Sequence, residues 1–208
     1  MIIKTAPLGN LSANFYLIAD EKSKEMIAVD PGDMPELAID LTKKVDAKLK
    51  YIVLTHAHAD HIGALDALKK EFGALVVIHK EDSKALNDSF LNLSDILNTV
   101  SPDTKADILV SDGDTLSLGD KTVKFIHTPG HTRGSMCMLA DNCLFSGDTI
   151  FFASIGRTDF PGGSFEDISA SIKGKIYTLP PDTTIYPGHG NPTTVEYELY
   201  NNPFVRGK

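Results

Sequence analysis

The segment Leu54-Thr55-His56-Ala57-His58-Ala59-Asp60-His61 constrains this chain more than any other. Four side chains able to ligate a metal fall within six residues, after an apolar run at 51–54 and before helical spacing at 62–72. Two histidines two apart on extended backbone point to the same side. Asp60 and His61 sit where the chain enters the helix and can turn toward a neighbouring point. One stretch can therefore feed two adjacent metal positions. The bland alternative is a helix start capped by Asp60. Three of the chain's seven histidines in six residues argue against it.

The same local grammar recurs downstream. Apolar runs at 122–127, 142–145 and 184–186 end in Thr128-Pro129-Gly130-His131, Ser146-Gly147-Asp148 and Pro187-Gly188-His189. Each is a β-prone run, a glycine that permits a sharp path and close approach to an ion, and then a ligand. Imidazole and carboxylate ligands without cysteine suit zinc first, with iron or manganese as alternatives. Seven candidates, His56, His58, Asp60, His61, His131, Asp148 and His189, exceed what one tetrahedral ion takes. Two divalent ions are expected, with one carboxylate bridging them, and Asp148 is preferred to Asp60 for that place.

The rest of the chain reads as mixed α and β. β-Prone runs at 2–6, 14–19 and 25–29 form a meander, 34–45 has helical spacing, and 75–78 is a buried strand. A polar, helix-like stretch at 81–100 is weakly periodic and is expected to be a mobile segment covering the site. Strands follow at 108–110, 115–118, 122–127, 135–139 and 142–145, then a Gly- and Pro-rich loop at 155–163, a helix near 165–177, a strand at 184–186 and a last helix after Pro192. Two β-rich halves with interspersed helices imply two packed sheets with helices outside. At 208 residues one domain spanning 1–208 is expected.

Composition narrows the function classes. A formal net charge of −8 with scattered lysines argues against nucleic acid as a partner. No apolar run approaches the ~20 residues that span a bilayer, and the start Met1-Ile2-Ile3-Lys4-Thr5 lacks signal-peptide features. A cytoplasmic protein is expected, with Cys137 and Cys143 as reduced core thiols on either side of a hairpin turn. His79 reads as a structural histidine, and His127 as either structural or a support behind a ligand rather than a ligand itself. Asp30, in Val29-Asp30-Pro31-Gly32, either makes a tight turn or orients a ligand histidine. Arg157 either pairs with Asp159 or holds a substrate carboxylate.

The H-x-H-x-D-H stretch at 56–61, with His131, Asp148 and His189, resembles the metallo-β-lactamase fold superfamily. The resemblance implies an α+β fold, a four-layer αβ/βα sandwich with metals at one edge between the sheets. It further implies that His56, His58 and His131 bind one ion, that Asp60, His61 and His189 bind the other, and that Asp148 bridges them. Gly147-Asp148-Thr149 followed by Gly156-Arg157-Thr158-Asp159-Phe160 is similar to the glyoxalase II-like hydrolases, and the residues around Gly188-His189-Gly190 resemble a short bacterial branch of that group. The sequence ends soon after His189, so the helical domain that supplies glutathione contacts in full-length glyoxalase II is expected to be absent. Arg157 stands near where that family carries a substrate-binding lysine.

The implied activity is hydrolysis of a small-molecule acyl thioester such as S-lactoylglutathione, with Asp60 and Asp148 as the carboxylates at the reacting centre and Arg157 binding substrate. The rival reading is a mononuclear iron persulfide dioxygenase, which shares a G-R-x-D-F segment like 156–160. A non-catalytic metal-binding module is disfavoured because no ligand is missing.

Overall fold

The computed structural model describes residues 1–207. Strands β1 (Ile2–Leu8), β2 (Ala13–Ala19) and β3 (Glu25–Val29) form the meander. Helix α1 (Pro35–Lys43) leads to β4 (Lys48–Leu54), and the ligand segment enters α2 (Ala59–Ile62). The single helix expected over 62–72 is instead two, α2 and α3 (Leu65–Phe72), broken at Gly63-Ala64. Strand β5 (Leu75–His79) follows, and the 81–100 stretch holds only short turns and α4 (Ser94–Leu97).

The second half contains β6 (Ile108–Val110), β7 (Thr115–Leu118), β8 (Lys121–His127), β9 (Met136–Ala140) and β10 (Cys143–Gly147). A small hairpin, β11 (Ile150–Phe151) with β12 (Ser154–Ile155), intrudes at the start of the region read as a loop. Helix α5 (Phe165–Ser171) runs on into a π-helical turn at Ile172–Ile176, then come β13 (Thr184–Pro187), β14 (Thr193–Thr194) and α6 (Val195–Asn201).

The strands make two six-stranded sheets, in the orders β1-β2-β3-β4-β5-β6 and β14-β13-β10-β9-β8-β7. Alternation along each strand explains the layering. In β2, Phe15 and Leu17 face one way into a core shared with α1 and α3, while Tyr16 and Ile18 face the other sheet. In the second sheet, Phe125, Met138 and Phe145 meet that central core, and Ile126, Cys137 and Leu144 pack under α5 and α6. Three apolar interfaces thus separate four layers, αβ/βα, as expected. β2 shows no polar alternation because both its faces are covered.

This packing carries the site. Strands β3, β4, β5, β8, β10 and β13 all deliver their carboxyl ends, with Asp30, His56, Asp82, His131, Asp148 and His189 close behind, to one edge of the sandwich. Cys137 is buried and Cys143 half-buried, and both are free thiols, so only the first is a core residue in full. No helix is long and apolar enough to cross a membrane among the described residues.

Phe145 lies at the centre of the sheet-on-sheet core, 5.1 Å from the Tyr186 ring and 5.3 Å from Tyr16. Phe145→Ala should lower unfolding stability by about 3–5 kcal/mol in a urea titration. Leu109→Ser, on a side chain 54% exposed, should change it by less than about 0.5 kcal/mol.

Candidate metal centre

Two ligand sets converge at this edge. His56, His58 and His131 offer ligand atoms within 4.8 Å of one another, and so do Asp60, His61 and His189. Asp148 lies between them: one oxygen is 3.4 Å from His61 Nε2, and the other is 3.5 Å from His131 Nε2 and 3.7 Å from His189 Nε2. Within the second set, Asp60 Oδ2 is 3.2 Å from His189 Nε2 and 3.6 Å from His61 Nε2. Ligands bound at about 2.1 Å around one tetrahedral ion lie ~3.4 Å apart, so these spacings are those of a ligand cage.

The donor atoms themselves support metal. His56, His58 and His131 each bury an Nε2 with no hydrogen-bond partner, and Asp148 buries an unpartnered Oδ1. Orphaned buried polar atoms are costly and rare; three of these belong to the three-histidine set and the fourth lies beside His61 of the second set, and both positions call for a cation. His61 Nε2 and His189 Nε2 face each other at 3.3 Å, which neutral acceptors avoid unless a proton or an ion lies between. The residues fit two ions.

The outer nitrogens are held in turn. Asp30 accepts from Thr55 N at 2.7 Å and from Thr55 Oγ1 at 2.6 Å, and its Oδ2 is 3.0 Å from His61 Nδ1. Thr55 Oγ1 is also 3.1 Å from His56 Nδ1, so one carboxylate orients a histidine of each set. Asp30 makes its turn with φ 50 as well, so both of its expected roles hold. A third grouping, of Asp30 with His56 and His61, is geometrically close. Asp30 nevertheless already accepts from these three donors, one of them the Nδ1 of His61, which makes it an orienting group. His131 Nδ1 donates to the Arg157 carbonyl at 2.7 Å, and His189 Nδ1 is 3.1 Å from the Leu11 carbonyl.

Glycine permits the closest approaches. Gly147 has φ +48 and abuts Thr55, and a Cβ on Gly188 would strike Asp148 Oδ1 and come within 2.8 Å of His61 Cε1.

Electrostatics divide the two sets. Burial, reinforced by neighbouring imidazoles, pushes His56 and His58 well below the usual histidine value, leaving neutral ligands. Burial opposes charge on His61 too, but Asp60, Asp148 and Asp30 outweigh it and raise His61 to about 10. His189 is also raised, its burial overcome by Asp60 and Asp148. Asp60 is held low by His61 and His189 despite burial.

Sequence reasoning missed three supports. Asp82 is buried and accepts from Ala57 N, Thr132 Oγ1 and Gly134 N at 3.2, 2.7 and 2.7 Å, clamping the two loops that carry the three-histidine set. Asn14 Nδ2 donates to the carbonyls of Pro187 and Gly190, and Tyr16 Oη donates to Pro187, fixing the His189 turn. These residues stand in strands or polar turns, where nothing in spacing marks them. His79 and His127 stack on each other with centroids 3.8 Å apart, outside both ligand sets, in keeping with structural roles. Arg157 forks onto Asp159 with two 2.7 Å bonds and lies 3.9 Å over the Phe160 ring. Its side chain is therefore engaged in the ion pair at the mouth of the site.

The family model of the metallo-β-lactamase superfamily matches residues 8–189. The chain belongs to that superfamily. It is 36% identical to a probable metallo-hydrolase, YqgX, of Bacillus subtilis, over 97% of this chain and 96% of that protein. It is 34% identical to hydroxyacylglutathione hydrolase GloC of Haemophilus influenzae over the full length of both. Among solved structures, the BLEG-1 B3 metallo-β-lactamase superposes with TM-score 0.93 at 38% identity, over 98% of this chain and 99% of that one. TTHA1623, solved in a di-iron-bound form, gives 0.85 at 31% identity over 98% of this chain and 100% of that one. ETHE1 from Myxococcus xanthus gives 0.82 at 30% identity over 100% and 86%. The fold is thus the metallo-β-lactamase fold, and the chain is a member of a metallo-hydrolase superfamily.

Protons on His61 and His189 compete with a cation for the second position, whereas His56 and His58 carry none near neutrality. Metal titration should saturate near two equivalents. The weaker step should strengthen as pH rises from 6 toward 9 and the tighter one should change less, measured by calorimetry.

Proposed function

We propose that this chain hydrolyses acyl thioesters of low-molecular-weight thiols, in the manner of glyoxalase II, with S-lactoylglutathione and simpler acyl thioesters as candidates. The observation that carries this reading is the pair of His and Asp groups with Asp148 between them, lining a cavity of about 520 Å³, a size suited to a small molecule. No serine, threonine, cysteine, lysine or tyrosine lines that cavity among the described residues, and its carboxylates and imidazoles belong to the two ligand sets and to Asp148 between them. The buried Cys137 thiol is pushed up to about 11 by burial and contacts Thr128 and the Ser146 carbonyl, so it is not available for acyl transfer.

Two divalent ions held by His56, His58 and His131, by Asp60, His61 and His189, and by Asp148 would supply a hydroxide nucleophile near neutral pH and polarise the thioester carbonyl. The protein's own groups do the rest. Asp148 and Asp60 place negative charge on the floor and hold the reacting centre in register. Asp30 keeps His61 and His56 in the tautomers that present Nε2 inward. Water adds to the carbonyl carbon, the C–S bond breaks, and the sulfur leaves as a thiolate. With an unperturbed thiol pKa of about 8.5, that leaving group needs no strong general acid. The products are one carboxylic acid and one thiol.

The 34% identity to GloC across both full lengths supports the thioester reading. Zinc is the metal the histidine-rich donor set suits first, with iron as the alternative that the di-iron neighbour favours. The second reading, a mononuclear iron persulfide dioxygenase, rests on the Gly156-Arg157-Thr158-Asp159-Phe160 segment and predicts oxygen as a co-substrate.

Arg157 is proposed to meet an anionic part of the thiol carrier at the cavity mouth, exchanging Asp159 for a substrate carboxylate. The backbone bond from Arg157 to His131 survives side-chain truncation, so Arg157→Ala should raise KM by about tenfold while metal content stays the same. Thiol release should proceed equally under air and nitrogen. Oxygen uptake with glutathione persulfide, and no thiol from any thioester, would establish the dioxygenase in its place.

A further inference from the structure

The walls above the ligand cage differ in chemistry from its floor. Leu11, Leu93, Ile96, Leu97, Phe151 and Phe160 surround the opening. Apart from the metal-facing side chains, Arg157 is the one polar residue on that wall among the described residues, and its fork is on Asp159. Leu11 is 51% exposed and Ile96 66% exposed, although both border a cleft that ends on charged groups. A second pocket of about 360 Å³ adjoins the first, sharing Leu11, Asp60 and Leu97 with it, and is lined further by Leu8, Pro35 and Val100 together with Asn10, Asp33 and Thr99.

This wall is constructed. Leu93 and Asn98 on either side of α4 both take left-handed backbone, φ 65 and 53, a conformation unfavourable by roughly 1–2 kcal/mol for a residue such as leucine. Buried Asn92 maintains it: Oδ1 accepts from Ser94 N and Ser94 Oγ, and Nδ2 donates to Leu86 O and Ser101 Oγ. The Asn92 carbonyl accepts from Ala59 N at 2.8 Å, between His58 and Asp60. Leu93, Ile96 and Leu97 are therefore hung directly from the ligand segment. The expectation that 81–100 covers the site is met in its 93–97 portion.

We propose that this groove is an acyl-chain subsite and that the enzyme prefers thioesters of apolar, unsubstituted acyl groups to 2-hydroxyacyl groups such as lactoyl. The inference rests on the thioester reading and narrows its substrate class. An apolar chain laid on Ile96, Leu97 and Leu11 leaves water without losing a hydrogen bond. A hydroxyl on Leu11, Ile96 and Leu97 gains no hydrogen bond from them. The polar groups are the metal-facing side chains, the engaged Arg157 and, in the second pocket, Asn10, Asp33 and Thr99, so an apolar group gains more on this wall. The occupant is the substrate's own chain because the same cavity is lined by the ligand cage and by Leu93, Ile96 and Leu97, with a second pocket adjoining it at Leu11 and Leu97.

The test uses the metal-loaded protein and glutathione thioesters, with each kcat/KM divided by the rate of uncatalysed hydrolysis by hydroxide. The decisive pair is lactoyl against 2-methylpropanoyl, which differ by a hydroxyl in place of a methyl group. The methyl compound should be favoured by about tenfold, and kcat/KM should climb by about tenfold or more from acetyl to hexanoyl, since each CH2 leaving water is worth up to roughly fourfold. Ile96→Ser should cut that climb by about fourfold, whereas Leu109→Ser, on the exposed face of β6, should leave it intact. In a second readout on metal-free protein, octanoate should shift the methyl NMR signals of Ile96 and Leu97, and lactate should not. Thiol release with lactoyl preferred, or with no dependence on chain length, overturns this inference and leaves the hydrolase reading standing. Absence of thiol release from every ester overturns both. Methyl shifts that follow protein concentration rather than octanoate would assign the groove to a second copy of the chain.

Discussion

The buried carboxylate of Asp30 is the interaction on which the site's geometry depends. An ionised carboxylate taken out of water must be compensated, and Asp30 is compensated by the Thr55 amide, the Thr55 hydroxyl and the His61 ring. Because Thr55 also contacts His56, this one group fixes a ring in each ligand set. It stands at the carboxyl end of β3, whose parallel partner β4 carries the ligand segment, so the register of those strands sets the distance between orienting group and ligands. Asp82, after the next strand, repeats the device for the loops holding His58 and His131. Burial raises its pKa even against three hydrogen bonds. That opposition is the expected behaviour of a carboxylate placed for geometry at a cost in solvation.

The two halves of the sandwich contribute unequally and need each other. The first sheet supplies His56, His58, Asp60 and His61 from one turn, and the second supplies His131, Asp148 and His189 from three. What unites them is the dense aromatic and aliphatic core between the sheets, with Tyr16, Phe145 and Tyr186 near the site end. Tyr16 belongs to both structures at once: its ring packs in the core and its hydroxyl holds the Pro187 carbonyl. A cage needing positions good to a fraction of an ångström is thus built on strand ends, with loops kept short and tied down.

Much of this was legible in the sequence, for physical reasons. Ligand residues are chemically distinctive, and their placement after short apolar runs is a local pattern, so His56, His58, Asp60, His61, His131, Asp148 and His189 all fall in the cage. Buried strands such as β5 and β10 read clearly because apolar runs bounded by turns have few alternatives. Asp82, Asn14 and the carbonyls of Arg157 and Leu11 could not be read, because their roles exist only once distant strands are side by side. The break between α2 and α3 was hidden for the same reason: Gly63 packs against Gly32, a contact 31 positions away in the chain. The β11–β12 hairpin was missed since two-residue strands have no periodicity to detect. Its Phe151 and Ile155 nevertheless shape the cavity.

The central claim is that Asp148 lies between two cation positions and ties them into one centre. X-ray absorption on protein loaded with zinc measures this directly. The account predicts a metal–metal vector at about 3.5 Å, lost in Asp148→Ala while histidine scattering from the three-histidine set persists. A spectrum of isolated ions in fully loaded native protein, with no metal–metal vector at any loading, would contradict it.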